Sequence, residues 1–562
     1  MTIGLTQEHR DLRDAMRTFV TRHITQDVVR KAVEAEEETL PPYWQALAGQ
    51  GLLGLHLPEE AGGAGYGLIE LAVVVEEFGR AMAPGPFLPT ALASAVLHRA
   101  GHQAHLGGLA DGTTIGAVGL GPGSLALSRD EDGAVRVSGE SELVIGGHLA
   151  DFFVLPVRDG DGRTWVVLPR ASVETTDVPS HDPTRRSSRV RLHDVAVPPG
   201  DVLAVDVQLP LDLAATLFAA EASGLADRAV TVAAEYARVR EQFGRPIGQF
   251  QGVKHCCARM LARAEQARAC AWDAARAGDP GAVDDPREAS LAAAVAGATG
   301  VEAAFTTAKD CIQVLGGIGF TWEHDAHLYL RRAQTLRLVL GPTAWWRRRV
   351  ARLTLDGARR RLGVELPPEA ENVRAEIRAE LRAAAELEGR ARLVHLADHG
   401  YTAPHLPAPW GKGADAVAQL VIDEEMRTAG LTPVDMIIGG WVVPTLIAHG
   451  SAEQQEKFLA PTLRGDIVWC QLFSEPGAGS DLAALSTRAE KVDGGWRITG
   501  QKVWTSMARD AHWGILLART DAAAPKHKGL SYFLLDMTAP GLDIRPLRQI
   551  TGESEFNEVF LD

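Results

Sequence analysis

One segment of the chain combines hydroxyl groups with flexible turn residues in an order that suits ligand binding. Residues 469–483 read WCQLFSEPGAGSDLA, in which two glycines, Gly477 and Gly479, lie between the hydroxyls of Ser474 and Ser480. Glycines let the backbone approach a ligand closely, and successive N–H groups in such a turn attract flat or anionic molecules. The segment therefore predicts a loop that binds a planar or anionic ligand.

A second segment places an aromatic ring beside two hydroxyl groups. Residues 500–513 read GQKVWTSMARDAHW, so that Trp504 is followed directly by Thr505 and Ser506. An indole with neighbouring hydroxyls can form the wall of a binding site for a planar group. A tryptophan in a strand is equally often part of the core. The residues alone leave both interpretations open.

The chain contains an internal repeat on the scale of a whole protein. Residues 47–58 read LAGQGLLGLHLP and residues 396–407 read LADHGYTAPHLP, with six identities at one constant spacing. The glutamate pair at 76–77 is likewise echoed by the pair at 424–425. This period is far too long for a solenoid. It indicates two tandem copies of one unit.

Each copy predicts the same order of elements. Amphipathic helical stretches come first, and short alternating runs bounded by Gly and Asp turns follow, which is the period of antiparallel strands. In the first copy an Ala-, Arg- and Leu-rich block at helical spacing comes next. The second copy ends at the close of its β block, without a final helical block, so we expect the 562-residue sequence to be part of a longer chain. The predicted domains are a helical domain over 1–112, a β domain over 113–205, a helical bundle over 206–362, a second helical domain over 363–467 and a second β domain over 468–562.

These segments resemble the acyl-CoA dehydrogenases, a family of flavoenzymes. The resemblance implies a duplicated α+β fold with helical N-terminal domains, an antiparallel, barrel-like middle domain, a C-terminal four-helix bundle, and FAD as the cofactor. In the family a TEPGAGSD-like loop and a WIT segment hold the flavin. Here Trp504 takes the position against the isoalloxazine ring, Thr505 the apolar position, and Ser506 that of the hydroxyl near flavin N5. The flavin-loop contacts implied by the resemblance are Leu472, Ser474, Gly479 and Ser480.

Two further family motifs lie in the first copy. Residues 237–255, ARVREQFGRPIGQFQGVKH, resemble the family's R-x-x-F-G…F-Q motif, and residues 313–320, QVLGGIGF, resemble its Q-x-x-G-G motif. In the family the first motif contacts the ADP half of FAD across a dimer interface, and the second approaches the pyrophosphate. The residues implied for this half of the site are Arg240, Phe243, Gln251, Gln313, Gly316 and Gly317.

The first copy departs from the family where the flavin ring would bind. It has GLGPGSLALS at residues 119–128 in place of the flavin loop, and ELVIGGHLADFF at residues 142–153 in place of the WIT segment. The flavin-ring motifs are thus intact only in the second copy, whereas the ADP-binding motifs are seen in the first. The resemblance therefore implies one FAD per chain, shared between the two copies.

The positions of the catalytic base also depart from the family pattern. In the family a glutamate removes the α-proton of an acyl-CoA thioester while the β-hydride passes to flavin N5. The two family positions for this base fall on Leu340 and Ala214, neither of which takes a proton. Glu221 lies two helical turns after Ala214 and is the candidate base within the chain, with a pKa raised by burial. An ion-paired glutamate is the other interpretation, and we expect the base beyond Asp562.

Composition narrows the class of protein. The chain is 46% hydrophobic and 23% charged, with 57 Lys and Arg against 72 Asp and Glu, a net charge of −15. An acidic protein of this kind is a poor nucleic-acid binder. The five cysteines predict unpaired thiols, and the acids and histidines of residues 323–327 lack metal-ligand spacing, so we expect no metal. The chain shows no signal peptide and no long uncharged span, which predicts a cytoplasmic protein that does not cross a membrane.

The leading functional hypothesis is an FAD-dependent acyl-CoA dehydrogenase built as a fused pair of units. One alternative is a catalytically silent partner that supplies half of a flavin site. Another is a flavin oxidase or monooxygenase of the same fold. The resemblance also implies an acyl-CoA substrate, electron-transfer flavoprotein as electron acceptor, and a homo-oligomer of the two-unit chain. The fused arrangement resembles family members that act on bulky or unusual acyl chains, such as steroid side chains or dicarboxylic acyl groups, and the residues do not distinguish between them.

Overall fold

The computed structural model describes residues 4–360 and 366–562 of the chain. The chain divides into two compact units, Met1–Val364 and Glu365–Asp562. Each unit begins with helices and continues into a curled sheet, in the order that the repeat predicts. The units are described separately below.

Unit 1 opens with six helices. Thr6 caps the first of them by accepting a hydrogen bond from the backbone N–H of His9, and the His9 ring bonds Glu70 of the fourth helix at 2.8 Å. The fourth and fifth helices are apolar on most faces and form the centre of the main core. The helices are α1 (Gln7–His23), α2 (Gln26–Glu34), α3 (Trp44–Gly49), α4 (Leu68–Arg80), α5 (Phe87–Arg99) and α6 (Leu106–Asp111).

The middle of unit 1 is a single curled sheet. Its strand order is β4-β8-β3-β2-β5-β6-β9, with β1 paired to β5 and β7 paired to β8. Valine, leucine and phenylalanine side chains of β5 and β6 fill its inner face. The strands are β1 (Gly116–Val118), β2 (Ala126–Arg129), β3 (Val135–Glu140), β4 (Val144–Ile145), β5 (Phe152–Asp159), β6 (Gly162–Pro169), β7 (Glu174–Val178), β8 (Ser187–Val197) and β9 (Val202–Leu203).

Unit 1 closes with long helices that pack as a bundle. Alanine at the contact faces of α7, α8 and α9 lets these helices approach closely, and α10 packs against α7 and α9. A short hairpin separates α7 from α8. The elements are α7 (Leu209–Val239), β10 (Glu241–Gln242), β11 (Arg245–Pro246), α8 (Gln251–Gly278), α9 (Pro286–Leu315), α10 (Ala326–Leu340) and α11 (Thr343–Leu355).

Unit 2 repeats the first two parts. Its sheet order is β12-β15-β13-β14-β18-β17, with β16 paired to β15. The helices are α12 (Ala370–Ala385), α13 (Gly389–Asp398), α14 (Ala416–Thr428), α15 (Gly439–His449) and α16 (Ala452–Leu463), and the strands are β12 (Trp469–Leu472), β13 (Arg488–Val492), β14 (Gly495–Ser506), β15 (Trp513–Arg519), β16 (Leu530–Asp536), β17 (Leu542–Leu547) and β18 (Phe556–Leu561).

The sequence repeat is also a repeat of local structure. Gly51 lies two residues after the end of α3 and Gly400 two residues after the end of α13, and both glycines have positive φ, +69° and +76°. In each copy the next residue's N–H reaches back to a leucine carbonyl, from Leu52 to Leu47 and from Tyr401 to Leu396. This is the Schellman ending, which glycine adopts without strain. The tandem duplication is therefore confirmed in the fold.

The predicted sheet is antiparallel, and the structure adds parallel pairs to it. β1 runs parallel to β5 in unit 1, and β12 runs parallel to β15 in unit 2. In each unit the intervening strands form a long crossover, which a parallel pair requires. Alternation of side chains along a strand does not show the direction of its neighbour, so the sequence pattern could not reveal these pairs.

Two helical segments of the described chain have the length and hydropathy of a membrane span. Leu209–Val239 and Pro286–Phe320 have mean hydropathies of 1.2 and 1.3. However, 83% and 67% of their most apolar windows are buried inside the structure. That burial is typical of core helices in a globular bundle.

Candidate functional site

The SEPGAGSD segment forms a tight loop directly after β12. Glu475 and Ala478 exchange backbone hydrogen bonds of 3.1 Å, which closes the turn around the proline and first glycine. The Ser474 carbonyl accepts from the backbone N–H of Val503 at 2.9 Å and thereby ties the loop to β14. Ser474 is half-buried and Ser480 is exposed. A side chain built at Gly477 or Gly479 would meet nothing within 4 Å, so the loop backbone is accessible there.

A buried ion pair anchors this loop. The Glu475 carboxylate accepts from the backbone N–H groups of Ser486 and Thr487 at 2.7 and 2.9 Å, and from Lys502 Nζ at 2.9 Å. Lys502 also donates to the Phe473 carbonyl at 3.1 Å and its side chain is 0% exposed. Burial raises the pKa of Glu475, but the hydrogen bonds outweigh it and lower the pKa to about 2. The pair is therefore ionised on the glutamate side throughout the physiological range.

Trp504 is presented to solvent by an irregularity in β14. The register against β18 shifts between Lys502 and Thr505, and Trp504 in the bulge has φ +62°. A non-glycine residue at positive φ is strained, typically by about 1–3 kcal/mol, and persists only where its surroundings hold it. The Trp504 ring is 60% exposed and meets Phe556 edge to face at 6.0 Å. The interpretation of Trp504 as a core residue is therefore wrong.

The residues around Trp504 leave one face of β14 open. Thr505 is fully buried, and its carbonyl accepts from Asn557 Nδ2 at 2.9 Å. Ser506, the predicted flavin N5 partner, is half-buried on the accessible side. The structure thus brings the loop, the exposed indole and the Ser506 hydroxyl onto adjacent segments of one sheet.

The equivalent positions of unit 1 carry different residues. The first parallel strand pair gives the correspondence between the units: Trp469 pairs with Trp513 in unit 2, and Gly116 pairs with Phe152 in unit 1. Ser474 follows Trp469 by five residues and therefore corresponds to Gly121. Ser506 precedes Trp513 by seven residues and therefore corresponds to Ile145. A side chain at Gly121 would lie 2.1 Å from a Glu142 oxygen, and one at Gly146 would lie 2.6 Å from the Pro89 ring. Ile145 is buried in the helical core, so the position that corresponds to Ser506 is not accessible in unit 1.

The residues assigned to the ADP half lie at one end of the unit 1 bundle. The hairpin β10–β11 turns at Phe243 and Gly244, both with positive φ, and the turn leaves Phe243 93% exposed. Arg240 ends α7 and is exposed, and no ion pair or hydrogen bond of its side chain is found among the described residues. Gln251 is exposed at the first position of α8. Cationic, amide and aromatic groups thus face solvent together.

The QxxGG segment ends α9 at the same end of the bundle. Its C-terminal turn packs in an apolar cluster with Tyr236 of α7 and Val253 of α8. These two residues lie at the helix ends on either side of the hairpin. Gln313 is exposed, and side chains built at Gly316 or Gly317 would meet nothing within 4 Å. Gly316 has φ +66° and ψ −138°, a conformation that is essentially restricted to glycine.

The donor set at both places fits FAD. A flavin ring needs a flat wall and hydrogen-bonding groups near its edge, which Trp504, Ser474 and Ser506 can provide. A diphosphate needs a cation and an open backbone, which Arg240 and the glycines after Gln313 can provide.

The two family positions for a base are apolar in unit 1. Leu340 ends α10 and is buried in the main core, where its carbonyl accepts from the Trp346 indole at 3.1 Å. Ala214 is fully buried in the same core. Neither position offers a proton acceptor in its side chain.

Glu221 is an ion-paired core residue. Its side chain is 2% exposed and accepts hydrogen bonds from Arg185 at 3.1 Å and from Arg332 at 2.7 Å. Arg332 also bonds Asp182 and the hydroxyl of Thr184. Burial raises the pKa of Glu221, but the two guanidinium groups outweigh it and the net pKa is lowered. The expectation of a raised pKa is therefore wrong, and this geometry disfavours Glu221 as a base.

The other clusters and cavities carry no chemistry that we assign. Within residues 4–360 and 366–562, no group of three His, Cys, Asp or Glu side chains suits a metal ion. Cys311 and Cys470 are buried, and burial raises the pKa of each thiol to about 12. A cleft of about 810 Å³ in unit 1 is lined by Arg228, Tyr236 and other residues of α1, α4, α7 and α10, but by none of the predicted FAD contacts.

Family models match most of the chain. The model of the acyl-CoA dehydrogenase N-terminal domain matches residues 6–106 and 357–466, that of the C-terminal domain matches 206–355, and that of the middle domain matches 470–562. The chain therefore belongs to the acyl-CoA dehydrogenase family, whose members are flavin-dependent oxidoreductases. The family prediction is confirmed.

Individual relatives agree with this placement. Acyl-CoA dehydrogenase FadE34 of Mycobacterium tuberculosis is 48% identical over 545 residues, which cover 94% of this chain and 72% of that protein. Acyl-CoA dehydrogenase IpdE2 of Mycolicibacterium smegmatis is 34% identical and covers 60% of this chain and 96% of its own length. Among solved structures, a variant of the Tcur3481-Tcur3483 steroid ACAD superposes with a TM-score of 0.58 at 29% identity, over 62% of this chain and 98% of that one.

Sequence reasoning missed the anchors of the site. Glu475 lies inside the motif, but its partner Lys502 belongs to a different segment, and no spacing rule joins them. Asn557 lies farther still along the chain. A lysine at an inward position of a strand, as at Lys502 in β14, was the one sequence signal of a buried ion pair.

Proposed function

We propose that the protein is an FAD-dependent acyl-CoA dehydrogenase that binds one FAD per chain. Unit 2 carries groups suited to a flavin ring, and unit 1 carries groups suited to an ADP half in Arg240 and the neighbouring hairpin. The observation that carries this proposal is the asymmetry of the repeat. In unit 2 Trp504 is 60% exposed and Ser506 is half-buried, whereas in unit 1 Ile145, at the Ser506 position, is buried in the core.

Bound FAD would accept the hydride removed from the β-carbon of an acyl-CoA. The protein's own residues would orient the ring through Trp504, donate a hydrogen bond from Ser506, and neutralise the diphosphate through Arg240. Leu340, Ala214 and the ion-paired Glu221 do not supply a base in this scheme. Proton abstraction is thus assigned to a carboxylate outside these three positions.

The electron acceptor and the acyl chain are also part of the proposal. Electron-transfer flavoprotein is the expected acceptor of the flavin electrons, and a two-unit chain is expected to associate with further copies. The structural relative named a steroid ACAD supports a bulky, steroid-derived acyl group as substrate. Flavin reduction by a steroid side-chain acyl-CoA should then be faster than by a straight-chain acyl-CoA of equal length.

A silent partner subunit is the second candidate, because both family base positions in unit 1 are apolar. Anaerobic titration of the purified full-length protein separates the candidates. A yellow protein whose absorbance near 450 nm is bleached by saturated acyl-CoA is a dehydrogenase. Bleaching by NADH alone indicates a monooxygenase, and a protein that purifies without flavin and does not take it up is a silent partner.

A further inference from the structure

The ion pair between Glu475 and Lys502 stands out in unit 2 because it is buried without touching any predicted ligand contact directly. Lys502 is fully buried, and its ammonium group bonds only Glu475 and the Phe473 carbonyl among the described residues. Replacement of such a pair by apolar residues is often neutral or stabilising, so stability alone rarely explains its presence.

The internal repeat offers a direct comparison. By the same strand correspondence as above, Pro122 occupies the Glu475 position in unit 1 and Ser141 occupies the Lys502 position. Both charges are therefore missing together in the copy that also lacks the flavin loop. Unit 1 nevertheless forms the equivalent strands, with β1 parallel to β5 and β3 antiparallel to β8. The sheet does not need the pair.

The contacts of the pair connect the SEPGAGSD loop to β14. Glu475 lies in the turn of the loop and accepts from Ser486 and Thr487, where the chain re-enters the sheet. Lys502 lies two residues before the strained Trp504 on β14. The pair thus joins the two ends of the loop to the strand that carries the indole.

We propose that Glu475 and Lys502 are positioning residues, which fix the SEPGAGSD loop relative to the Trp504 bulge so that both meet one flavin. This inference rests on the proposed function for its ligand but not for its geometry. Loss of the pair should loosen the loop and misplace its hydroxyls while the sheet stays folded.

The test compares three variants of the full chain. Lys502→Met leaves the glutamate uncompensated, and the double change Glu475→Leu with Lys502→Met removes both charges. Glu425→Gln is the matched control, because Glu425 is equally buried, accepts from Arg374 and Arg378, and has a pKa lowered to about 2 by those hydrogen bonds against its burial. It lies on α14, in the helical part of unit 2.

Two readouts are needed: the FAD dissociation constant, and hydrogen exchange of the amides in residues 474–487 of the flavin-free chain. We expect the double variant to stay folded but to melt at a lower temperature, because the Ser486 and Thr487 N–H groups lose their acceptor. We also expect it to exchange faster in this loop and to bind FAD about tenfold more weakly, as for one misplaced charge-assisted contact. The control should lose stability without either change. Wild-type FAD affinity and wild-type loop exchange in the double variant would overturn the proposal. If the wild type binds no FAD, the proposed function fails, and loop exchange alone decides the role of the pair.

Discussion

Replacing Glu221 by glutamine should destabilise unit 1 strongly without removing a catalytic group. The substitution leaves the guanidinium groups of Arg185 and Arg332 facing a neutral amide in a site that is 2% exposed, with Asp182 as the remaining carboxylate. Removing one partner of a buried pair typically costs about 3–5 kcal/mol. With an unfolding entropy of about 2.1 cal/mol/K per residue over about 360 residues, the melting temperature should fall by roughly 5 °C.

The pH dependence of stability also tests whether Glu221 is an ionised, ion-paired carboxylate. The folded pKa of Glu221 is lowered, so its contribution is fully present above the pKa of the unfolded state, near 4.5, and is lost as pH falls below that value. Thermal unfolding of the wild type and Glu221→Gln should therefore converge under acidic conditions. Glu235→Gln is the control, because Glu235 is exposed on the same helix. A variant of unchanged stability that retains FAD but no longer reduces it with acyl-CoA would show that Glu221 is the base.

Three further changes test other parts of the account. Gly316→Ala should cost about 1–3 kcal/mol by equilibrium unfolding because of its positive φ, whereas Gly317→Ala, equally uncrowded, should cost less than half as much. Burial raises the pKa of Glu38 to about 7, although the N–H of Arg186 donates to its carboxylate, so its contribution to stability is present below pH 4.5 and is lost as pH rises through 7. Urea unfolding midpoints of the wild type should show this fall in stability, about 3 kcal/mol in all, and those of Glu38→Gln should not. Arg240→Ala should weaken FAD binding roughly tenfold to a hundredfold by fluorescence titration, while Arg238→Ala, also exposed, should not; equal affinities would remove Arg240 from the site.

The fold was largely predictable because its signals are periodic and duplicated. Helical spacing in the alanine-rich block and alternation in the β block gave the element types, and the repeated glycine at positions 51 and 400 marked equivalent helix ends. The parallel pairing of β1 with β5 and of β12 with β15 was not predictable, since strand direction depends on which distant strand is adjacent.

The candidate site was predictable where a motif is contiguous and not where it depends on tertiary contacts. Trp504 and Ser506 follow one another closely in β14, so their accessible placement could be anticipated. The bulge at positive φ, the buried Lys502 and the two arginines on Glu221 depend on residues that only folding brings together. For Glu221, burial and an ion pair were both anticipated, but the two arginines that form the pair were not, and they reverse the direction of the pKa shift.

The central claim is that a duplicated chain carries a single flavin site. Its most direct test is the FAD content of purified protein after reconstitution with excess FAD, measured as released flavin absorbance against protein concentration. Burial of Ile145 in unit 1, with Trp504 exposed and Ser506 half-buried in unit 2, predicts one FAD per chain. Trp504→Leu, which introduces the residue found at Leu143 in unit 1, should lower the occupancy. Two FAD per chain would contradict the account.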